Sequence, residues 1–551
     1  MKHTTLSRLV NYDSAFIKFD VLAGLTAAAV VIPKSLAYAV IAGLPVEVGL
    51  YTALVPMVVY SLLGTSRKLS VSTTSTIAIL TAAELSRVGG GGSAGELMSA
   101  AATLAFLVGV FLFLAAALRL GFLAYFISVP VLTGFKTGIG LVIIVDQLPK
   151  LLGVHIDKAG FFRDILSILH HLPGTHIPTL LVGGAGLLMI VILEKWKPLS
   201  PAPLYAVAAG IALSYFFGLK TLGVHVVGDI PAGLPSLSIP DVSLFLKMWP
   251  AALGIALMSF TESIAAGRAF AEQGEPKPAV NRELFAIGAA GLLGGLFQGM
   301  PAGGGTSQTA VNSRAGARTQ AAELVTAACT LIVMVFLSRV IALMPLCVLA
   351  AVVIVTTAPL LSPVDFKAIY HVRRKEFYWS LIALAGVVVL GTLQGILVAV
   401  VISVLMIMYQ ANHPPVYLMG RKKGTNIYRN LELHPQDEVI PGLLIVRTEG
   451  MLTFASMPRA ADTFNALIAD RDARVLLLDL SAVPDIEYTA LLQVEEAERK
   501  MTESGTSLWV AGLNQRVLES IQRTALGDRL KDGRMFYTVE EAVQQYLSKK
   551  D

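Results

Sequence analysis

Cysteine is all but missing from this chain. Its 551 residues include only two, Cys329 and Cys347. Both lie in apolar stretches and offer neither a disulfide framework nor a thiolate metal site. Charge is scarce too, with 15% Asp, Glu, Lys and Arg against 55% hydrophobic residues. The mean hydropathy of +0.68 excludes an ordinary soluble protein of this length. A net charge of +5 is small for such a chain, and its basic residues gather in loops, so membrane orientation explains them better than nucleic-acid binding does. Nucleotide-driven chemistry also lacks its signature. The run "GGLFQGMPAGGG" has neither the preceding strand nor the Lys-Ser/Thr pair of a phosphate loop. His170, His171 and His176 have no acidic or cysteine co-ligands, and the four glycines at 89–92 read as a flexible loop.

What is present is a succession of apolar runs of about 18 to 25 residues, each long enough as a helix to cross the roughly 30 Å hydrocarbon core. They recur from Phe19 to about Tyr409. Backbone groups in lipid must be satisfied internally, so these spans are helical and the protein polytopic. The first run has no small-residue cleavage site and leads straight into another span, so it reads as a membrane segment, not a removable signal peptide. About fourteen spans place both termini on one side. Arg67-Lys68, Lys195 with Lys197, Arg314 with Arg318, Arg373-Arg374-Lys375 and Arg421-Lys422-Lys423 share that face and mark it as cytoplasmic. The basic residues of loop 150–163 fall on the opposite face, in a loop long enough to weigh little. After His413-Pro414-Pro415 the composition turns charged and alternating. The expected domains are therefore a membrane domain, 1–413, and a soluble domain, 414–551.

Within the membrane domain two halves, about 15–220 and 245–412, show a faint repeat. A span starting near Glu47 leads through Gly64 into "SVSTTSTIAIL", and one starting near Glu283 leads through Gly299 into "GGGTSQTAVN". Paired interrupted segments of this kind point to a substrate site, because the free N–H groups of two half-helices can converge on an anion.

Charges inside the spans are the other pointer. Lys34 sits in "VIPKSLAYAV", the one charged residue of the apolar stretch 21–44. An ammonium at that depth costs about 3 kcal/mol on insertion scales and is expected to face a polar interior. Pro33 before it removes a backbone N–H and loosens the helix. The alternative is a structural lysine that snorkels or pairs with Glu262. Tyr38, four residues on, shares the Lys34 face and lines the site or simply packs. The hydroxyl run Ser72-Thr73-Thr74-Ser75-Thr76 can set several O–H groups beside free N–H groups, and Ser72, Thr73 and Thr74 lead it. Glu262 in "LMSFTESIAAG" can bind a proton or ligate Na⁺, which makes it the candidate coupling residue. Asp146 is read as interfacial.

These residues resemble a known family. "IPKSLAYAVIAGLPVEVGLYTALVPMVVYSLLGTSRKLSV" looks like the first spans of the SulP (sulfate permease) anion transporters, relatives of pendrin and prestin. "ESIAAGRAFAEQGEPKPAVNRELFAIGAAGLLGGLFQGMPAGGGTSQTAVNSRAGARTQ" is similar to their eighth to tenth spans. The resemblance implies fourteen segments in a 7+7 inverted repeat, built as a core domain that moves against a gate domain. It also makes Lys34 and Tyr38 part of the substrate site. Two departures stand out: Lys34 replaces the usual glutamine, and Ser307-Gln308-Thr309 replaces the usual Ser-Arg-Ser at the tenth segment. We expect the two to be linked, with Lys34 supplying the positive charge that Gln308 lacks.

The segment "VLLLDLSAVPDIEYTALLQVEEAERKM" resembles a STAS domain. The residues themselves agree, since strands at "LLIVRTEG", "RVLLLDLSAV" and "SLWVAGL" alternate with amphipathic helices at 455–471 and 488–503. Where signalling STAS domains carry a phosphorylatable serine, this chain has Glu487-Tyr488-Thr489, and Thr489 is expected to cap the helix.

The expectation is a secondary transporter of a small inorganic or carboxylic anion (sulfate, bicarbonate or a dicarboxylate) in the cytoplasmic membrane, not an enzyme. It would work by elevator-like alternating access, coupled to H⁺ or Na⁺ and needing no other cofactor. A homodimer is expected, with the STAS domain in the cytoplasm, open to a regulatory protein. The alternatives are an uncoupled exchanger or channel, a nucleobase permease of the same architecture, and a membrane sensor with STAS as its output.

Overall fold

The computed structural model describes residues 12–88, 93–125, 128–156, 160–197, 200–228, 233–271, 275, 278–468 and 473–549. The glycine run 89–92 lies outside them. The chain divides into two units, Met1–Ser403 and Val404–Asp551. The division falls within the last membrane helix, and the change of composition at Pro414-Pro415 follows it.

The first unit opens with α1 (Ile17–Ile41), α2 (Val46–Leu63), β1 (Val71–Ser72) and α3 (Ser75–Val88). Next come α4 (Ala94–Ala117), α5 (Val129–Leu152), α6 (Phe161–His171), α7 (Ile177–Trp196) and α8 (Ala202–Phe217). The second half repeats the opening pattern with α9 (Phe245–Ala269), α10 (Val280–Leu296), β2 (Gly303–Gly304) and α11 (Thr306–Arg314). It closes with α12 (Ala321–Phe336), α13 (Ser338–Ile341), α14 (Leu346–Thr357), α15 (Pro363–Val372), α16 (Arg374–Leu390) and α17 (Thr392–Ala411).

Among the described residues, seven helical stretches are long and apolar enough to cross a bilayer. The other expected crossings are short or interrupted helices, such as the 14-residue α3 and the 9-residue α11. Local chemistry sets the ends. Ser93 and Glu96 form a reciprocal capping box at the start of α4, and Gly153, at φ +69°, closes α5 in the left-handed conformation.

The two half-units meet through their strands. Val71 pairs with Gly304 and Ser72 with Gly303, antiparallel, so each interrupted segment crosses the other before its half-helix begins. Both β2 positions are glycine for lack of room: a Cβ at Gly303 would lie 2.7 Å from Ser259 Oγ, and one at Gly304 2.8 Å from Ser263 Cα.

Non-helical backbone at membrane depth needs partners, and the loop between α2 and β1 receives them from the other half. The Glu283 carboxylate, in the first turn of α10, accepts from Tyr60 Oη (2.7 Å), Thr65 N–H (2.7 Å), Ser66 N–H (3.2 Å) and the Thr65 hydroxyl. Gln320 Nε2 donates to the Ser66 and Leu69 carbonyls, and Asn312 Nδ2 to that of Lys68.

The second unit is a six-stranded sheet. It contains β3 (Val416–Arg421), β4 (Tyr428–Asn430), β5 (Leu443–Glu449), β6 (Val475–Ala482), β7 (Ser507–Ala511) and β8 (Met535–Phe536), in the order β4-β3-β5-β6-β7-β8. The three strands read from sequence are β5, β6 and β7, and they are parallel. Alternate residues feed two cores, Leu444 and Val446 on one face and Leu443 and Ile445 on the other. Burial on both faces is why these strands read as unbroken apolar runs. The antiparallel pair β3–β4 and the two-residue β8 were not anticipated. Of the two expected helices, α18 occupies Met457–Ile468 and α19 Tyr488–Glu503. The expected cap is corrected: Glu487, not Thr489, is the N-cap residue of α19, and its carboxylate accepts from the Phe454 N–H at 3.0 Å. Thr489 lies exposed within the first turn.

Candidate substrate site

The N-termini of α3 and α11 open onto one cavity of about 350 Å³. From α3 and the residue before it come Thr74, Ser75 and Thr76; from α11 and its N-cap come Gly305, Thr306, Ser307 and Gln308. Tyr38 of α1, Lys136 of α5, Glu262 of α9 and Asp365 of α15 also line the cavity, with the hydroxyl residues Thr133, Thr356 and Ser362. The first N–H groups of a helix have no intrahelical acceptor, so two sets of donors and two positive dipole ends face the same space.

Lys34 stands behind this wall, 7% exposed, and its ammonium donates to Ser307 Oγ at 3.2 Å. It does not pair with Glu262. The acid that acts on it electrostatically is Glu194 in the last turn of α7. Glu262 instead meets Lys136, Oε1 to Nζ at 3.6 Å, and accepts from Thr74 Oγ1 and Thr76 Oγ1, each at 3.1 Å. The cavity therefore has one ammonium in its wall and a second one hydroxyl behind it, against two lining carboxylates, Glu262 paired with Lys136 and Asp365 of α15.

The remaining expected residues divide in two. Ser72 and Thr73 hold Gln308 in place: Ser72 Oγ donates to Gln308 Oε1 at 3.0 Å, and Gln308 Nε2 donates to the Thr73 carbonyl at 3.3 Å. Thr309 faces away from the cavity, its Oγ1 accepting from the Ser70 N–H at 3.1 Å. These three are framework around the crossing, whereas Tyr38, Thr74, Ser307, Gln308 and Glu262 line the space. Asp146 does not line the cavity; its carboxylate accepts from Gln147 Nε2 at 2.9 Å.

Sequence reasoning missed Lys136, although it carries the same signal as Lys34, a single lysine in the apolar run "VPVLTGFKTGIGLVII". Among the described residues no group of three His, Cys, Asp or Glu side chains could hold a metal ion.

An antiparallel crossing of two interrupted helices, with cationic side chains at their N-termini and a separate STAS-like α/β unit, defines a class of helical membrane transporter. The solved structure of murine solute carrier 26 family member A9, an anion transporter in the inward-facing state, superposes with a TM-score of 0.89 at 22% identity, covering 99% of this chain and 94% of that one. The transmembrane domain of a cyanobacterial bicarbonate transporter gives 0.63 at 22% identity, covering 71% of this chain and 98% of that domain. In sequence, a protein of Mycobacterium tuberculosis described as a probable sulfate transporter is 34% identical over 547 residues, 97% of this chain and 96% of its own. Sulfate transporter 3.2 of Arabidopsis thaliana is 29% identical, over 97% of this chain and 86% of its own. The sulfate permease family model matches residues 17–385 and the STAS domain model residues 434–542. The chain belongs to the sulfate permease family, a family of membrane anion transporters and not of enzymes.

Proposed function

We propose that this protein is a proton-coupled transporter of a small divalent oxyanion, with sulfate as its substrate. The observation that carries this reading is the Lys34 ammonium donating to Ser307 Oγ where two half-helix N-termini line one cavity. Four-oxygen anions suit several converging N–H and O–H donors. The named function of the 34% identical relatives supports sulfate over bicarbonate or a dicarboxylate.

Glu262 is the coupling residue in this proposal. It is paired with Lys136 at 3.6 Å. A proton taken by Glu262 frees Lys136 to face the anion, so proton and anion enter together, and loss of the proton restores the pair and expels the anion. A Na⁺ ion would have to share the carboxylate with an ammonium already 3.6 Å away, which favours H⁺. Rigid movement of the half-helices against α5 and α14 would carry the site between the two membrane faces, an elevator-like form of alternating access. The cytoplasmic membrane as location, both termini and the STAS unit in the cytoplasm, a homodimer and a regulatory partner at the STAS unit belong to the same proposal. Support for the orientation comes from the basic loops on one face.

The test is uptake of labelled sulfate, bicarbonate and a four-carbon dicarboxylate into liposomes holding the purified protein, under an inward H⁺ gradient, an inward Na⁺ gradient or neither. Sulfate uptake driven by the H⁺ gradient supports the reading. Uptake indifferent to both gradients would make the protein an exchanger or channel, and silence across the panel from folded protein would remove the anion assignment.

A further inference from the structure

A second cavity, of about 710 Å³, lies on the side of α1 away from the substrate site. Its walls are apolar: Ala29, Pro33 and Leu36 of α1, Ala208 and Ile211 of α8, and Val333 of α12. Pro33 lacks the N–H that would bond the Ala29 carbonyl one turn back, so the helix ladder is interrupted where the two residues face this space. The walls carry one charged side chain, Arg339 of α13. It is exposed, and among the described residues it makes no ion pair or side-chain hydrogen bond.

Arg339 sits at the membrane-surface end of the groove. The residues following α8 and α13 are joined there, with the Val227 N–H donating to the Met344 carbonyl and the Gly228 N–H to the Ala342 carbonyl. Tyr215, 71% exposed, lines the same groove in the last turn of α8, with Phe216 and Phe217 exposed beside it. Aromatic residues at a helix end mark the depth of lipid headgroups. On the approach to Arg339 the outer surface is apolar as well, with Phe336 75% and Ile332 52% exposed.

We propose that this groove is a binding site for an anionic phospholipid, its acyl chain between α1, α8 and α12 and its phosphate on the Arg339 guanidinium. Charge complementarity selects the occupant. A free fatty chain or detergent would fill the apolar part and leave an unpaired guanidinium at the mouth, whereas a phosphodiester satisfies both ends. An apolar cavity this large that stayed dry and empty would forfeit the dispersion contacts of its lining. The seat backs directly onto Pro33, the neighbour of Lys34, so a bound lipid braces the interrupted turn that carries the substrate-site ammonium.

The test is native mass spectrometry of the full-length protein titrated with phosphatidylglycerol or phosphatidylcholine, counting lipids retained per protomer, on wild type, Arg339→Gln and Ala208→Leu. The wild type is expected to retain phosphatidylglycerol in preference, and Arg339→Gln to lose about fivefold of that preference while still binding acyl chains. Ala208→Leu, which fills the groove, is expected to retain one lipid fewer whichever headgroup is offered. Each variant is confirmed as folded by a monodisperse size-exclusion profile. A wild type that does not discriminate the two headgroups would overturn the proposal, as would an Arg339→Gln variant with the full preference or an Ala208→Leu variant with an undiminished lipid count.

Discussion

Both units of this protein bury carboxylates, and they satisfy them in opposite ways. In the STAS unit each is met by arginine. Arg447 reaches Asp479 at 2.6 and 2.7 Å, Arg429 holds Asp437 at 2.6 and 2.9 Å, and Arg529 and Arg534 share Glu498. In the membrane unit Glu84 has such a partner, Arg87 at 2.6 and 2.8 Å, but the partners of the other acids are mostly neutral. Glu283 is held by hydroxyls and N–H groups, Glu262 by two threonines with Lys136 at a looser 3.6 Å, and Glu323 by Ser70 Oγ at 2.9 Å. Glu323 Oε1 has no hydrogen-bond partner at all among the described residues. A guanidinium fork locks a carboxylate as a permanent charge. Hydroxyls can donate or accept and so tolerate either protonation state. The contrast separates a module whose acids are locked as charges from a membrane unit in which most buried acids are held by neutral groups.

The sharpest way to break this contrast is at the membrane site itself. Lys34→Gln and Glu262→Gln are each expected to lower initial uptake by about tenfold or more, the effect of losing one charge-assisted contact in a desolvated site. Glu262→Gln should in addition leave the residual uptake indifferent to the H⁺ gradient. Normal, gradient-driven uptake by both variants in liposomes would show that the open pairing has no role in transport. In the STAS unit the expected damage is to stability. Asp479→Asn strands Arg447, and the usual cost of breaking a buried pair, about 3–5 kcal/mol, shrinks to roughly 2 kcal/mol because the arginine side chain is 28% exposed. Thermal unfolding of the full chain should show that loss, with uptake per folded molecule unchanged. Glu283→Gln tests the middle case. It keeps the shape of the side chain but weakens the bonds that pin the loop before β1, at an expected cost of about 1–2 kcal/mol. The melting temperature in detergent should fall, while the order of preference among the three anions stays the same.

How much of this was legible in the sequence follows from the kind of signal each feature leaves. Lys34 and Glu262 were readable because a charge inside an apolar run stands out. Lys136 leaves the same mark, so the partner of Glu262 is equally legible as a lone lysine in an apolar run. The crossing of β1 and β2 showed only as two hydroxyl- or glycine-rich starts. Its register, and the division of Ser72, Thr73 and Thr309 from the residues that line the cavity, depend on contacts between positions more than 230 residues apart, which no local pattern encodes. In the STAS unit the apolar runs of β5, β6 and β7 announced themselves. The edge strands β4 and β8, three and two residues long, are too short to show a period. Thr489 has the residue type of a cap, but the helix starts two residues earlier and places Glu487 there.

The smallest expected effect lies at the edge of the STAS sheet and sharpens the contrast through pH. The Arg429 guanidinium beside Asp437 holds that carboxyl below its ordinary range. A depressed carboxyl contributes stability that is fully present above its unfolded value, near pH 4, and is lost as pH falls through the lower folded value. Hydrogen exchange at β4 and the neighbouring β3, corrected for intrinsic rates, should therefore be flat from pH 7 to about 5 and accelerate below about pH 4. Asp437→Asn should raise exchange slightly at pH 7 and abolish the acid limb. An unchanged acid limb in the variant would mean that the Arg429 pair is not what fixes this edge, and that even in the STAS unit a paired carboxylate can be a bystander.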